Sequence, residues 1–164
     1  MSLSGLLSEN SYKDKLFIGD EVIVGRTEQI QENIQLRNAS GDVFPGSGEL
    51  LWQKIGNYIF FSGRVIYTSL SVPNPASNLF INLPTQLNNY LPNAGNKEFV
   101  SVHSVGFDWV NTEARQLYGN VIRGTTSGFN FFFVDSVGFN RSWTADTLID
   151  GTSSIIFSGK YSIE

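Results

Sequence analysis

Three observations predict an all-β fold for this chain: an antiparallel β-sandwich, jelly-roll-like in its head, preceded by a short N-terminal arm. Of 164 residues, 16 are glycine and 13 are phenylalanine, and only 16% are charged, a balance that favours turn-rich pleated structure over helix. Apolar runs are short and separated by clusters of Asn, Gly, Pro, Ser and Asp. Several of these runs alternate apolar and polar residues with the period of two that buries one face of a strand. No βαβ spacing appears, and the length suits one core plus an appendage.

Residues 1–45 read as an arm or attachment segment and residues 46–164 as the head. The boundary falls where Asn38-Ala39-Ser40-Gly41-Asp42-Val43-Phe44-Pro45-Gly46-Ser47-Gly48 gathers turn formers. Within the arm, residues 16–25 read as a short strand pair or one strand kinked at Gly19-Asp20. Residues 27–37 leave two readings open. Thr27 can cap a helix carrying Ile30 and Ile34 on one face, while Ile34 and Leu36 alternate as in a strand. With so few large apolar residues, the arm must pack on the head, on a sister chain or on another protein.

The head opens with residues 50–67, two apolar strands around Gly56-Asn57. Glycine at the first loop position accepts the positive φ of a type II′ hairpin turn. Further strands are expected at residues 79–83, 99–110, 116–123, 129–139 and 153–163. In the last, Ile155, Phe157, Gly159, Tyr161 and Ile163 fall on one face and Ile156, Ser158, Lys160 and Ser162 on the other. Phe61-Ser62-Gly63-Arg64 is echoed by Phe157-Ser158-Gly159-Lys160, each with a glycine in mid-strand, where a bulge or a close approach is usual. Either the two strands lie near one another or the match is fortuitous. Phe129, Phe131, Phe132 and Phe133 exceed what one buried face requires, so both faces of that strand are expected to be covered, by the core or by a sister subunit.

Chemistry is narrowed chiefly by exclusion. The chain has no cysteine, which removes disulfides, thiolate catalysis and cysteine-based metal centres. A formal net charge of −4 provides no basic field for phosphates, so nucleic acid is not an expected partner. No apolar run reaches the roughly 18 residues of a membrane span, and the start lacks the basic-then-apolar order of a signal peptide. No membrane insertion is expected, and the compartment stays open at this point.

His103 is the only histidine; a structural or interface role is favoured over catalysis. The acids Asp108, Glu113, Asp135, Asp146 and Asp150 could in principle supply the carboxylate pair of a glycosidase, but solvated loop acids are the favoured reading. Residues 146–151 lack calcium-loop spacing, and residues 124–128 lack the lysine and helix of a phosphate cradle, so no catalytic residue, metal or cofactor is assigned. Two glycosylation tripeptides, Asn38-Ala39-Ser40 and Asn140-Arg141-Ser142, are read as chance. Tyr90, Trp109 and Trp143 stand beside polar or turn residues. There a ring can stack on a sugar while groups such as Asp108 and Arg141 bond its hydroxyls, the alternative being that the rings anchor loops to the core.

The order Trp52-Gln53-Lys54-Ile55-Gly56-Asn57-Tyr58-Ile59-Phe60-Phe61-Ser62-Gly63-Arg64-Val65, followed by Phe80-Ile81-Asn82-Leu83-Pro84, resembles the head domains of bacteriophage fibre and tail-tip proteins. In that family a Lys-Ile-Gly-Asn hairpin leads into a Ser-Gly strand, and a Leu-Pro step follows the next strand. The resemblance spans residues 46–164, with its specific part in residues 52–84. It implies a β-sandwich head, commonly a homotrimer, joined to a virion through an N-terminal segment and binding a host-surface glycan or protein. The short, aperiodic arm differs from fibre shafts. A capsid-decoration or connector protein docking on other virion proteins through residues 1–45 is therefore the second expectation. A polysaccharide-degrading enzyme using Asp108 or Asp135 is the third.

Overall fold

A computed structural model describes residues 15–18, 21–25, 30–90, 98–122, 128–151 and 153–163. The all-β antiparallel expectation holds. Twelve strands are described, of which β1 (Lys15–Ile18) and β2 (Glu21–Gly25) form a two-stranded antiparallel sheet of their own. The others are β3 (Ile30–Asn33), β4 (Leu36–Asn38), β5 (Gly46–Ile55), β6 (Tyr58–Tyr67), β7 (Leu79–Asn82), β8 (Glu98–Val105), β9 (Gln116–Ile122), β10 (Gly128–Val134), β11 (Asn140–Ser142) and β12 (Ser153–Ser162). They join one ten-stranded sheet in the order β3-β5-β6-β12-β8-β9-β10-β7-β4, with β11 on β10.

That sheet curls into a half-barrel, so the two layers of the expected sandwich are continuous. β8 makes the corner: residues 101–105 pair with β12, whereas residues 98–100 pair with β9. The two ends of the sheet, β3 and β4, are consecutive in the chain and separated by only Ile34 and Gln35, which brings the far edges together. Glu32 fastens this junction. Its Oε2 accepts from Trp52 Nε1–H at 2.7 Å and its Oε1 from the Gln86 N–H at 3.0 Å, tying β3 to the loop after β7.

The two short strands β3 and β4 correct the division at residue 45. Residues 30–45 belong to the head: β3 pairs with β5, β4 pairs with β7, and Ile34, Leu36, Asn38 and Phe44 are all buried in the core. Turn formers at residues 38–48 mark a connection inside the domain. Asn38 organises it, its Oδ1 accepting from the Ser40 and Asp42 N–H groups and its Nδ2 donating to Asp42 and to the Asn74 carbonyl. Of the two readings of residues 27–37, the described part is extended; Thr27 lies outside the described residues.

The hairpin of β5 and β6 pairs Gly46 with Tyr67 at one end and Ile55 with Tyr58 at the other. Gly56 has φ +56° while Asn57 does not share a positive φ, as a type II′ turn requires. β6 alternates cleanly between exposed and buried residues from Tyr58 to Val65. β12 buries Ile155, Phe157 and Tyr161, with Ile163 just beyond it, and leaves Ile156, Ser158 and Lys160 exposed, the alternation read from the sequence. The echoed segments are direct neighbours. Ser62 pairs with Ser158, so Gly63 stands opposite Phe157 and Gly159 opposite Phe61.

Two expected strands end early. β8 stops at Val105, after which Gly106 takes φ +113°; β10 stops at Val134, and a turn leads into the short β11. Residues 124–127, read as a hairpin loop, lie outside the described residues. The phenylalanine cluster divides between faces: Phe129, Phe131 and Phe133 are in the core, while Phe132 stacks outward on Tyr118 with centroids 5.4 Å apart. No helix among the described residues is long and apolar enough to cross a membrane.

Candidate functional site

Buried rings connect the hairpin to one end of the molecule. Phe61 lies 4.8 Å from Phe129, which lies 4.9 Å from Phe157; Phe157 meets Phe131 at 5.8 Å, and Phe131 meets Trp143 at 5.4 Å. Trp143 contacts Phe107 at 4.9 Å, and Phe107 meets the edge of Trp109 at 5.3 Å. Trp109 is the member that reaches solvent, 46% exposed. A rigid aromatic column therefore supports a ring offered at the surface, which limits the rotamer entropy lost when that ring meets a ligand.

Trp109 opens a single helical turn, α1 (Trp109–Thr112), because Asp108 caps it. Asp108 Oδ1 accepts from the Asn111 N–H at 3.0 Å, and Thr112 Oγ1–H donates to the Asp108 carbonyl at 2.5 Å. Glu113, at φ +51°, ends the turn in the left-handed region. On the other side, Asp135 organises the loop between β10 and β11. Its Oδ1 accepts from the Val137 and Phe139 N–H groups, and its Oδ2 pairs with Arg141 Nε at 3.1 Å. Glu113 accepts from Ser136 Oγ and so links the two loops. Between them opens a cleft of about 480 Å³ lined by Asn111, Thr112, Asp135, Arg141, Asp146 and Thr147 among others.

The carboxylates here are held ionised. Backbone and side-chain donation from Asn111 places Asp108 below the usual carboxylate range. At Asp135 desolvation pushes the other way, but the Phe139 N–H, Arg141 and the Val137 N–H outweigh it and the net shift is downward. A general acid in glycoside hydrolysis needs the opposite shift. These two groups cap and brace loops, and both remain partly exposed with lone pairs to spare.

Three of the five residues singled out in the sequence, Asp108, Trp109 and Arg141, are thus brought to one end of the fold. The other two are not. Trp143 is completely buried between Phe107 and Phe131, so it has no face for a sugar and serves as core, against the sequence expectation. Its polar flanks, Ser142 and Thr144, misled because β11 turns the ring inward immediately after an exposed arginine. Tyr90 lies at the opposite end. It packs on Trp52 at 5.7 Å under the Lys54 ammonium, and its carbonyl accepts from Tyr161 Oη at 2.8 Å. Tyr161 pairs with Ile59 near the start of β6 whereas Tyr67, at the end of β6, donates to the Gly106 carbonyl; the eight residue steps between them separate the two sites by roughly 26 Å.

Sequence reasoning missed Asn111, Thr112 and Phe139. Phe139 is 63% exposed with the Arg141 guanidinium 5.7 Å from its ring centroid, and Val110 and Ile149 are exposed as well, the Ile149 N–H donating to the Gly106 carbonyl. Its place in a turn after Gly138 was the available signal. His103 is exposed on the outer face of β8, and no group of three or more potential metal ligands occurs among the described residues. No family model matches the sequence, no curated protein matches it, and no solved structure matches its fold.

Proposed function

We propose that this domain is the head of a phage virion attachment protein and that it holds a host-surface glycan at the loop end carrying Asp108, Trp109 and Arg141. The observation that carries the reading is Trp109, a solvent-facing indole braced by Phe107 on the helical turn whose Asn111 and Thr112 line an open cleft of neutral and charged hydrogen-bonding groups. An aromatic platform takes the apolar face of a sugar, and Asn111, Thr112, Asp146 and Arg141 supply donors and acceptors for its hydroxyls. The sequence resemblance to fibre and tail-tip heads supplies the virion setting. A homotrimer belongs to this reading, supported by the outward Phe132–Tyr118 stack on the layer that the Phe-rich strand builds.

The test is binding of the purified chain to host-surface polysaccharide, measured by titration calorimetry beside Trp109→Ala and Arg141→Ala variants of unchanged melting temperature. Retained affinity in both variants would remove the site from this end. Light scattering that gives a monomer at micromolar concentration would remove the trimer.

The separate β1–β2 sheet favours a second reading, a decoration or connector protein that docks through its N-terminal segment. With residues 30–45 in the head, that docking segment contracts to residues 1–29. Its deletion then abolishes particle binding while the head stays folded.

A further inference from the structure

The outer face of β5, β6, β12 and β8 is open to solvent and has a cross-strand order that the loop-end site does not use. Its middle row runs Leu51, Ser62, Ser158 and Ser101 in register across four strands. One flanking row sets Gln53, Phe60 and Lys160 side by side; the other sets Arg64, Ile156 and His103. The low middle and taller flank leave a trough of about 360 Å³ bounded by Leu51, Gln53, Phe60, Ser62 and Ser158.

We propose that this trough binds an anionic linear polysaccharide, a polymer of carboxylate-bearing sugars. Phe60 is 37% exposed and presents ring surface to a pyranose, while the serine hydroxyls beside it each donate and accept. Charge selects the anionic polymer. On a chain of net charge −4, this face collects Arg64 and Lys160, and neither has a carboxylate within ion-pair distance among the described residues. Lys160 lies 5.5 Å from the Tyr58 ring centroid, a contact that leaves its charge uncompensated. Glu49, the acid opposite Arg64, instead accepts from Gln31 at 3.0 Å. Arg64 and Lys160 stand two rows apart, about 13 Å along the strands at some 3.3 Å per residue. The Lys160 ammonium sits over Tyr58, on the side away from Arg64, so an extended ligand with repeated charge meets both cations.

This site is independent of the loop-end reading and is tested apart from it. Oligogalacturonate, a uronate polymer, is titrated into the full chain at low salt beside a neutral glucan of equal length and a single-stranded DNA oligonucleotide. Oligogalacturonate should bind at least about tenfold more tightly than either control, and the Arg64→Ser/Lys160→Ser variant should lose about tenfold, equivalent to about 1.4 kcal/mol. Phe60→Ser should weaken binding. All three positions are solvent-exposed and melting curves verify folding; if Phe60→Ser fails to fold, the double variant still decides. No uronate binding, affinity unchanged in the double variant, or equal affinity for the glucan or the DNA would overturn the proposal.

Discussion

The ring of Phe157 fills the space over Gly63, the residue it pairs with across β6 and β12. A Cβ at position 63 would meet three carbons of that ring, which is itself held by Phe61, Phe129 and Phe131. The glycine is therefore a socket for the core, and its lack of a side chain is compensated by an aromatic neighbour.

Gly63→Ala should destabilise the fold by about 1–3 kcal/mol, the usual cost of forcing extra volume into a packed core. Urea denaturation measures it. Combining it with Phe157→Leu should cost less than the sum of the single changes, because the shorter side chain vacates part of the contested space. Additive effects would show that the two residues do not compete.

Removal of the Glu32 carboxylate should loosen the junction between β3 and the loop after β7. It accepts from both Trp52 Nε1 and the Gln86 N–H, and hydrogen bonds to charged groups contribute about 1.5–3 kcal/mol. Glu32→Ala should lower the denaturation midpoint accordingly, with a shift in Trp52 fluorescence.

N-terminal truncation distinguishes the two possible domain boundaries. A chain beginning at residue 30 should melt cooperatively, since among the described residues β1 and β2 pair only with each other. A chain beginning at residue 46 loses both sheet edges together with buried Ile34, Leu36 and Phe44, and should be unfolded by circular dichroism.

Acid should release the loop end. Asp108 and Asp135 have folded pKa values below their unfolded ones, so their stabilisation is present in full above the unfolded value, about 3.9, and is lost as pH falls through the folded value. Melting temperature followed downward from pH 5 should therefore fall less steeply in Asp135→Asn than in the native chain. Identical slopes would show that Asp135 is not stabilised as its ionised form.

The legible parts of the fold were local. The Gly56-Asn57 turn, the alternation of β12 and the interruptions between strands follow from backbone sterics and from burying every second side chain. The paired echo at Ser62 and Ser158 was also readable, though its register was not. β3 and β4 were obscured because each is only three or four residues long and gains its apolar surroundings from strands distant in sequence. At the loop end, Asp108 and Trp109 were visible as neighbours in the chain. Their approach to Arg141 depends on Glu113 and Asp135 bracing separate loops.

The sequence by itself determined an antiparallel β architecture, the first hairpin, the last strand and its buried face, because these depend on periods of two and on turns a few residues long. Only the tertiary structure decided that the sheet curls into one half-barrel, that residues 30–45 lie inside the head, and that Trp143 is core while Trp109 meets solvent. Those outcomes are set by contacts between residues far apart in the chain. Burial there is determined by the neighbour that arrives across the sheet, and the flanking residues do not reveal it.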